Sequence, residues 1–279
     1  MAEHFSVGFV GAGKVGRALG RYFMRRGLPV CGYSSRREES AAAAARWTGT
    51  AALSLAEVAG RGGVIFLTVP DDALAAVWEG LRAFPLEGKA VCHCSGLHSS
   101  RIFAGIEAAG ACGYSLHPLC AVTENFEKMD DVCFTLEGAG EHPSIGRLLS
   151  LIGNRVRRIE PEQKAKYHAA AVFCSNFAAA LTGAATRLFA ECGLDEDFSE
   201  NAWRYLFTEN AANVGRLGPV RALTGPIERG DCETVRRHLE ALDGRTAELY
   251  RLLSRETLAL AHKKNPERDY TKMKEVLRA

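Results

Sequence analysis

Three closely spaced glycines near the start of the chain have the spacing of a phosphate-binding turn. Gly11, Gly13 and Gly16 follow an apolar run that begins at Phe5, and helix-forming residues follow them as far as about Arg26. In a strand–turn–helix unit, the first glycine permits the tight turn, the second lets a pyrophosphate approach the backbone, and the third allows close packing. The helix start adds unpaired N–H groups and a positive dipole end. The predicted dinucleotide-binding turn comprises Gly11, Ala12, Gly13, Lys14, Val15 and Gly16.

A short run of hydroxyl and basic residues indicates which dinucleotide this turn would bind. An NAD-binding chain usually places an acidic residue for the ribose hydroxyls about 20 residues after the glycine turn. In this chain the run Ser34, Ser35, Arg36 and Arg37 occupies that region. Hydroxyl and guanidinium groups would bond to and neutralise a 2′-phosphate, which a carboxylate would repel. We therefore predict NADP(H), with Ser34, Ser35 and Arg36 as ligands. The alternative is a solvated, basic start to the next helix.

A polar stripe on a long predicted helix carries the residues best suited to catalysis. Residues 162–192 are helical in composition, and the helix contains Lys164, His168 and Ser175. At 100° per residue, these three fall within about 40° of one another. A polar stripe is unfavourable to bury without partners, so it either forms hydrogen bonds inside a helical domain or faces a cleft. Lys164 or His168 could donate to a developing oxyanion or supply a proton to a reduced product.

Other polar residues and turns are candidates for binding a substrate. The predicted substrate-binding residues are Ser95, Gly96, His117, Asn176, Thr224 and Arg229. His117 follows a predicted strand and is a third candidate proton donor, although a histidine before proline alternatively caps a turn. Thr224 offers a hydroxyl group, and Arg229 offers a guanidinium fork for a carboxylate. The alternative for this loop is a plain helix entry with Asp231 as N-cap.

The first half of the chain alternates strands and helices. Strands are predicted at 5–10, 28–33, 64–69, 89–94 and 111–116, with further strand candidates at 132–136 and 156–159. Short links between the elements predict a doubly wound, mostly parallel sheet. Ligands bind at the carboxyl ends of strands in such sheets. Thr68, Val69 and Pro70 are therefore expected to line the nicotinamide half of the site, and Asp71 or Asp72 is expected to cap the next helix.

From Pro161 onward the sequence is helical in composition and shows no strand pattern. Helices are predicted at 162–192, 196–214, 232–242, 245–262 and 266–279, with a loop at 215–226. The expected architecture is an α/β Rossmann domain at 1–160, with a mostly parallel doubly wound sheet, and an all-α substrate and dimerisation domain at 161–279.

Composition limits the kinds of partner and compartment. Hydrophobic residues make up 47% of the chain, charged residues 24%, and the formal net charge is +2. This balance is typical of a soluble globular protein and gives no electrostatic case for nucleic acid or an anionic membrane. The start, MAEHFSVGFV, lacks the basic region of a secretory signal. Nine cysteines without secretory context predict reduced thiols in the cytoplasm. Cys92-His93-Cys94 matches no usual zinc spacing, so no metal is expected.

Six segments, taken in order, resemble a known family. GFVGAGKVG, FLTVPDD, CSGLHSS, SLHPL, KYHAAAVFCSNFAAAL and ALTGPIERGD are similar to segments of the Rossmann-like proteins with a C-terminal domain of unknown function 2520. The resemblance covers nearly the whole chain and implies an NADP-type reductase of the wider group that holds ketopantoate, pyrroline-5-carboxylate and hydroxyacid reductases. Hydroxyacid dehydrogenases of that group use a Lys-x-x-x-Asn pair on the long helix; here His168 follows Lys164 at the asparagine position. Helical second domains of the group often dimerise, so a homodimer is expected.

Together these observations predict an NADPH-dependent oxidoreductase that reduces a small, carboxylate-bearing 2-oxo acid, such as ketopantoate, by hydride transfer. Lys164, His168 and Ser175 are the predicted catalytic residues. One alternative is an imino acid reductase of the pyrroline-5-carboxylate type. Another is a non-catalytic NADP-binding sensor or regulatory protein. Nothing in the chain specifically encodes a second cofactor site for a flavin or deazaflavin.

Overall fold

The computed structural model describes residues 5–123 and 129–278, which form two compact units divided after Ser175. The ends of the two predicted domains, at residues 1–4 and 279, lie outside the described residues. The first unit includes the residues up to Ser175, beyond the domain boundary predicted at residue 160.

An eight-stranded sheet forms the centre of the first unit. Its strands are β1 Val7–Val10, β2 Val30–Ser34, β3 Ala51–Ala52, β4 Val64–Leu67, β5 Ala90–His93, β6 Cys112–Pro118, β7 Phe134–Gly138 and β8 Val156–Arg158. The strand order is β3-β2-β1-β4-β5-β6-β7-β8, and every neighbouring pair is parallel except β6 and β7. The predicted mostly parallel, doubly wound sheet is confirmed. The two-residue β3 was not predicted, and β6 extends beyond its predicted end at residue 116, so that His117 lies within the strand.

Helices cover both faces of this sheet. They are α1 Lys14–Arg25, α2 Glu38–Thr48, α3 Leu55–Arg61, α4 Leu74–Leu81 and α5 Pro143–Ile152. A further helix of the first unit, α6 Lys164–Cys174, follows β8 in the chain. Alternate strand residues point to opposite faces. Phe9 and Phe66 therefore belong to one apolar core, and Ile65 and Leu67 belong to the other, which also contains Trp78 of α4.

The second unit is helical throughout its described elements. They are α7 Asn176–Glu191, α8 Glu196–Leu217, α9 Pro219–Ala222, α10 Pro226–Arg229, α11 Cys232–Ala241, α12 Gly244–Lys264 and α13 Thr271–Val276. Ile227, Val235, Tyr270 and Met273 are buried in its core. The loop predicted at 215–226 is shorter than expected, because α8 runs to Leu217 and α9 interrupts the remainder.

The long helix predicted at 162–192 is wrong, because the helix is broken at Ser175. A 3₁₀ turn at Pro161–Gln163 precedes α6, and Ser175 separates α6 from α7 with φ −124° and ψ −82°. The Ser175 hydroxyl donates to the carbonyl oxygen of Ala171 at 2.8 Å. Such a bond from a serine to the preceding turn often bends a helix. Helix propensity alone does not reveal this break.

The segment Pro161–Glu191 is long and apolar enough to cross a membrane by length and composition, and none of its most apolar window is buried. The segment consists of the 3₁₀ turn, α6 and α7 rather than one helix.

Candidate functional site

The glycine turn between β1 and α1 has the geometry that its spacing predicts. Gly11 has φ +110°, and a Cβ atom there would lie 2.6 Å from the carbonyl oxygen of Thr68. A Cβ atom on Gly16 would lie 2.5 Å from Thr68 Oγ1 and 2.6 Å from the carbonyl oxygen of Gly11. The Thr68 hydroxyl donates to that carbonyl oxygen at 2.8 Å. The first and third glycines are therefore required by packing of the turn against the end of β4.

The second glycine, Gly13, borders open space. Gly13 is the N-cap of α1, has φ −76°, and a Cβ atom there would meet nothing within 4 Å. The space above it borders the first N–H groups of a helix, which favour an anion. This is the arrangement that a pyrophosphate requires.

A cavity of about 980 Å³ begins at this turn. Its lining includes the predicted cofactor residues Gly11, Ala12, Gly13, Lys14, Ser34, Ser35, Arg36, Thr68, Val69 and Pro70, together with Arg17, Arg37, Ser40 and Asp72. Val15 and Gly16 do not line it; Val15 packs on the apolar core, and Gly16 packs against Thr68. A volume of this size and a mostly cationic set of charged side chains fit a dinucleotide with its anionic phosphates.

The glycines allow a paired test of this turn. We expect Gly11→Ala to lower the free energy of unfolding by about 2 kcal/mol or more, because it combines positive φ with a backbone clash. Gly13→Ala is expected to fold with little change in stability but to lose most dinucleotide affinity, since its methyl group would enter the open space. Chemical denaturation and NADPH titration check the pair. Unchanged NADPH affinity in Gly13→Ala would place the phosphates elsewhere.

Beyond Pro70, the chain connects this cavity to a second polar cluster. Asp71 begins a 3₁₀ turn, and Pro70 is the N-cap residue, without a side-chain cap. The predicted capping by Asp71 or Asp72 is therefore wrong. Instead, the Asp71 carboxylate accepts a hydrogen bond from Ser95 Oγ at 2.8 Å. Ser95 Oγ in turn accepts from the backbone N–H groups of Leu97 and His98 at 3.1 and 3.0 Å. These bonds fix the loop that follows β5.

Lys164 is the most buried charged residue of this cluster. Its side chain is 2% exposed, and its ammonium donates to the Ser95 carbonyl oxygen at 2.7 Å and to Ser115 Oγ at 2.6 Å. Burial lowers the pKa of Lys164 to about 8, against the raising effect of negative charge at Glu137. An ammonium group has three N–H donors, so one remains for a ligand after these two bonds.

Two histidine rings converge on Gly96. A Cβ atom on Gly96 would overlap His168 Nδ1 and lie 3.0 Å from His117 Nε2. The ring of His117 is perpendicular to that of His168, with centroids 6.1 Å apart. His117 Nδ1 forms a 2.7 Å hydrogen bond with the Tyr167 hydroxyl. His168 Nδ1 is buried and has no hydrogen-bond partner within residues 5–123 and 129–278. Only glycine leaves room for this pair of nitrogens.

Burial keeps two histidines of the first unit neutral. It lowers the pKa of His117 to about 4, and the positive charge of Lys164 acts in the same direction. Burial likewise lowers the pKa of His93, which is 0% exposed, to about 4. His93 Nδ1 accepts the backbone N–H of Ser95 at 3.1 Å, so His93 supports the loop that holds Ser95. Within the described residues, no group of three or more His, Cys, Asp or Glu side chains could hold a metal ion.

The structure brings together only some of the predicted site residues. Ser95, Gly96, His117, Lys164 and His168 form one cluster in the first unit. Ser175 lies at the exposed end of α6 and bonds to Ala171, so a catalytic role for it stays a prediction. The cluster also contains residues that the sequence did not single out for the site: Asp71, Ser115 and Tyr167. Their contacts join positions far apart in the chain, which no local pattern could reveal.

The other predicted residues belong to the second unit. Asn176 begins α7, Thr224 precedes the short α10, and Arg229 is the last residue of α10. The predicted N-cap role of Asp231 is confirmed, since its carboxylate accepts the Thr234 N–H at 3.1 Å. The carbonyl oxygen of Glu228 accepts from the Tyr270 hydroxyl at 2.6 Å. Substrate binding by Asn176, Thr224 and Arg229 stays a prediction.

The sheet topology, the glycine turn and the adjoining cavity define a Rossmann-type dinucleotide-binding protein. The family models agree: residues 2–118 match the Rossmann-like domain, and residues 132–257 match a domain of unknown function, DUF2520. Protein TM1727 from Thermotoga maritima is 30% identical, with 92% of this chain and 99% of that chain covered and a TM-score of 0.72. The chain belongs to the family of Rossmann-like proteins that carry the DUF2520 domain.

Two other solved structures are similar. BF3122 from Bacteroides fragilis, a candidate NADP oxidoreductase, is 26% identical over 92% of this chain and 99% of its own, with a TM-score of 0.71. A reductive aminase from Aspergillus terreus, in complex with NADPH and ethyl-5-oxohexanoate, is 16% identical over 97% and 99%, with a TM-score of 0.65. The latter likeness shows the fold alone. No curated protein sequence matches the chain.

Proposed function

We propose that the chain is an NADPH-dependent oxidoreductase that reduces a small 2-oxo acid bearing a carboxylate, of the ketopantoate type. The cationic cavity next to the glycine turn supports NADP(H) as cofactor. The candidate NADP oxidoreductase BF3122, which is 26% identical, supports an oxidoreductase. When bound, NADPH supplies the hydride.

The observation that carries the proposal is the buried ammonium of Lys164. A carbonyl oxygen gains negative charge as its carbon accepts a hydride, and it then needs a donor and a proton. Lys164 has a free donor position and a pKa of about 8, close to neutral pH, where proton transfer is most effective. We assign Lys164 as the general acid. Asp71, Ser95 and Ser115 hold its surroundings in place.

His117 serves as a neutral donor in this proposal. With a pKa of about 4, His117 is not protonated at neutral pH and cannot be the acid. Burial raises the pKa of Tyr167, so its hydroxyl stays protonated, and we assign it as the donor in its hydrogen bond with His117 Nδ1. The proton of His117 then resides on Nε2, which faces Gly96. His168 and Ser175 are proposed to assist, and Asn176, Thr224 and Arg229 are proposed to bind the substrate.

The charge of Lys164 favours an oxo acid over an imino acid. A carbonyl group develops negative charge during reduction, which an ammonium stabilises. A protonated imine is already cationic, and a nearby ammonium would repel it. Imino acid reduction of the pyrroline-5-carboxylate type is therefore the second candidate. A non-catalytic NADP-binding protein would have no use for a buried lysine that lowers stability.

A substrate panel tests the proposal. NADPH oxidation would be followed with ketopantoate, other branched 2-oxo acids and pyrroline-5-carboxylate at equal concentrations. We expect turnover with at least one 2-oxo acid and a kcat/KM at least tenfold lower for the imino acid. Faster turnover of pyrroline-5-carboxylate would favour the imino acid reductase. Tight NADPH binding without turnover of any compound would favour a sensor.

We also propose that the chain acts as a cytoplasmic homodimer, assembled through the second unit. Large apolar side chains on one face of α8 are exposed: Phe198 by 55%, Tyr205 by 73% and Leu206 by 68%. Phe177 and Leu181 of α7 are exposed by 45% and 40%. Exposed apolar area of this extent is typical of an interaction surface.

The expected assembly has twice the mass of one chain by light scattering. Replacing Tyr205 and Leu206 with glutamate is expected to give monomers, because two carboxylates would be buried without partners. Ala211→Glu adds a carboxylate at an exposed position about 120° from Tyr205 and about 140° from Leu206 around the same helix, and it is expected to leave the dimer intact. A wild-type monomer at micromolar concentration, or partition of the chain into lipid vesicles, would contradict this assembly.

A further inference from the structure

Arg17 stands apart from the residues that the glycine pattern and the Ser34–Arg37 run assign to the cofactor. It follows Gly16 in the second turn of α1, yet its side chain lines the same cavity as Ser34–Arg37. The elements on which these residues lie explain the proximity: α1 packs beside α2, and β2 leads directly into α2. Arg17 thus lines the predicted 2′-phosphate region from a different element, α1.

Trp47 holds the guanidinium of Arg17 in place. The guanidinium carbon lies 5.2 Å from the centroid of the Trp47 ring, a cation–π distance. Arg21, one turn further along α1, lies 5.4 Å from the same ring but does not line the cavity. Stacking restrains the planar fork of an arginine before a ligand arrives, so less side-chain entropy is lost on binding.

The Arg17 Nε–H group lacks an acceptor. The Nε atom is buried and has no hydrogen-bond partner in the part of the chain that the structure describes. An N–H group of a cation that is removed from water without an acceptor is strongly unfavourable, and buried polar groups in folded proteins are almost always paired. The Arg17 side chain lines the same cavity as Lys14, Arg36 and Arg37, so an anionic ligand in that cavity would supply acceptors to this group of cationic side chains.

We propose that Arg17, stacked on Trp47, is a determinant of NADPH specificity that binds the 2′-phosphate together with Arg36. The inference rests on the proposed use of NADP(H). A phosphate presents three oxygens to several guanidinium forks at once, and such charge-assisted bonds are strong. Arg17 lies on α1, whereas Arg36 lies in the segment after β2. The proposed phosphate site, here called the Arg17–Arg36 clamp, is therefore formed by two separate elements.

Two nucleotides that carry no hydride test the clamp. The full chain would be titrated calorimetrically with 2′,5′-ADP, which has the 2′-phosphate, and with 5′-ADP, which lacks it. A charge-assisted bond contributes about 1.5–3 kcal/mol, so we expect Arg17→Gln to weaken 2′,5′-ADP binding by about 10- to 100-fold and 5′-ADP binding by less than twofold. Arg21→Gln, which shares the Trp47 stack, is the matched control and is expected to change neither affinity.

Trp47 provides a second readout. We expect 2′,5′-ADP to change the fluorescence of the wild type, and Trp47→Phe to lose most of that change while folding normally by circular dichroism. An equal loss of affinity for both nucleotides in Arg17→Gln would overturn the inference, because Arg17 would then contact the adenine or the 5′-phosphates. No loss for either nucleotide would overturn it as well. If wild type binds neither nucleotide, the proposed cofactor itself is wrong.

Discussion

Lys164→Met is expected to lower kcat/KM by about 10³-fold while leaving NADPH affinity within twofold of wild type. General acid catalysis contributes about 10²- to 10⁴-fold, and loss of oxyanion stabilisation adds to it. Lys164 contacts Ser95 and Ser115, but it does not line the cavity that the predicted cofactor residues line. Steady-state kinetics and NADPH titration separate the two effects. Lys166→Met, at an exposed position two residues away, is the matched control and is expected to retain activity.

The same variant should reveal the unfavourable burial of the ammonium. Folding lowers the pKa of Lys164 from 10.5 to about 8. Between these values the unfolded chain binds more protons, so the stability of the wild type should rise with pH by about 3 kcal/mol from this group. Lys164→Met should lack that rise and should be no less stable than wild type at pH 7. Retained activity, or a rise in stability equal to that of wild type, would remove Lys164 from the assigned role.

Lowering the pH from 6.5 to about 4 is expected to destabilise the first unit, before most carboxylates become protonated. Folding lowers the pKa of the buried His93 from 6.5 to about 4. The stability that neutral His93 provides is complete above pH 6.5 and is lost as pH falls through about 4, because the unfolded chain takes up the proton first. For His93 the loss is about 3 kcal/mol, and His117 titrates in the same direction. Denaturant unfolding from pH 7 to pH 4 measures the total.

His93→Asn isolates this effect. The asparagine carbonyl oxygen could accept the Ser95 N–H that His93 Nδ1 accepts, and asparagine does not titrate. When it unfolds between pH 6.5 and 4, the variant is expected to take up about one proton fewer than wild type does. The control variant is His98→Asn, at a half-buried position of the same loop, which leaves the buried His93 in place. An identical pH dependence in His93→Asn and wild type would contradict the buried, neutral histidine.

Local chemistry made most of the first unit predictable. Glycines at positions 11, 13 and 16 predict a tight turn with open space for a phosphate. The structure shows the tight turn at Gly11 and Gly16 and the open space at Gly13. Residues 64–67 of the predicted strand 64–69 are buried on both faces, as a central parallel strand requires. The alternation of such runs with helical segments left few topologies compatible with short connections.

Long-range contacts and breaks within helices were not predictable. Ser115 and Asp71 are ordinary polar residues in the sequence, and only the pairing of β4, β5 and β6 brings them to Lys164 and Ser95. Helical periodicity correctly placed Lys164 and His168 on one face, but it extended the helix through Ser175, where a hydroxyl bonds to the preceding turn. The pattern of glycines likewise could not show that Trp47 restrains Arg17.

Transfer of deuterium from the cofactor tests the proposed reaction most directly. Wild type and Lys164→Met would be incubated with each of the two stereoisomers of NADPH deuterated at C4 and with the best 2-oxo acid from the panel. Mass spectrometry would follow the product. We predict a 2-hydroxy acid one mass unit heavier with one isomer only, and at least 10³-fold slower formation by Lys164→Met. Binding of NADPH without deuterium in any oxo or imino acid product would contradict an oxidoreductase of this class.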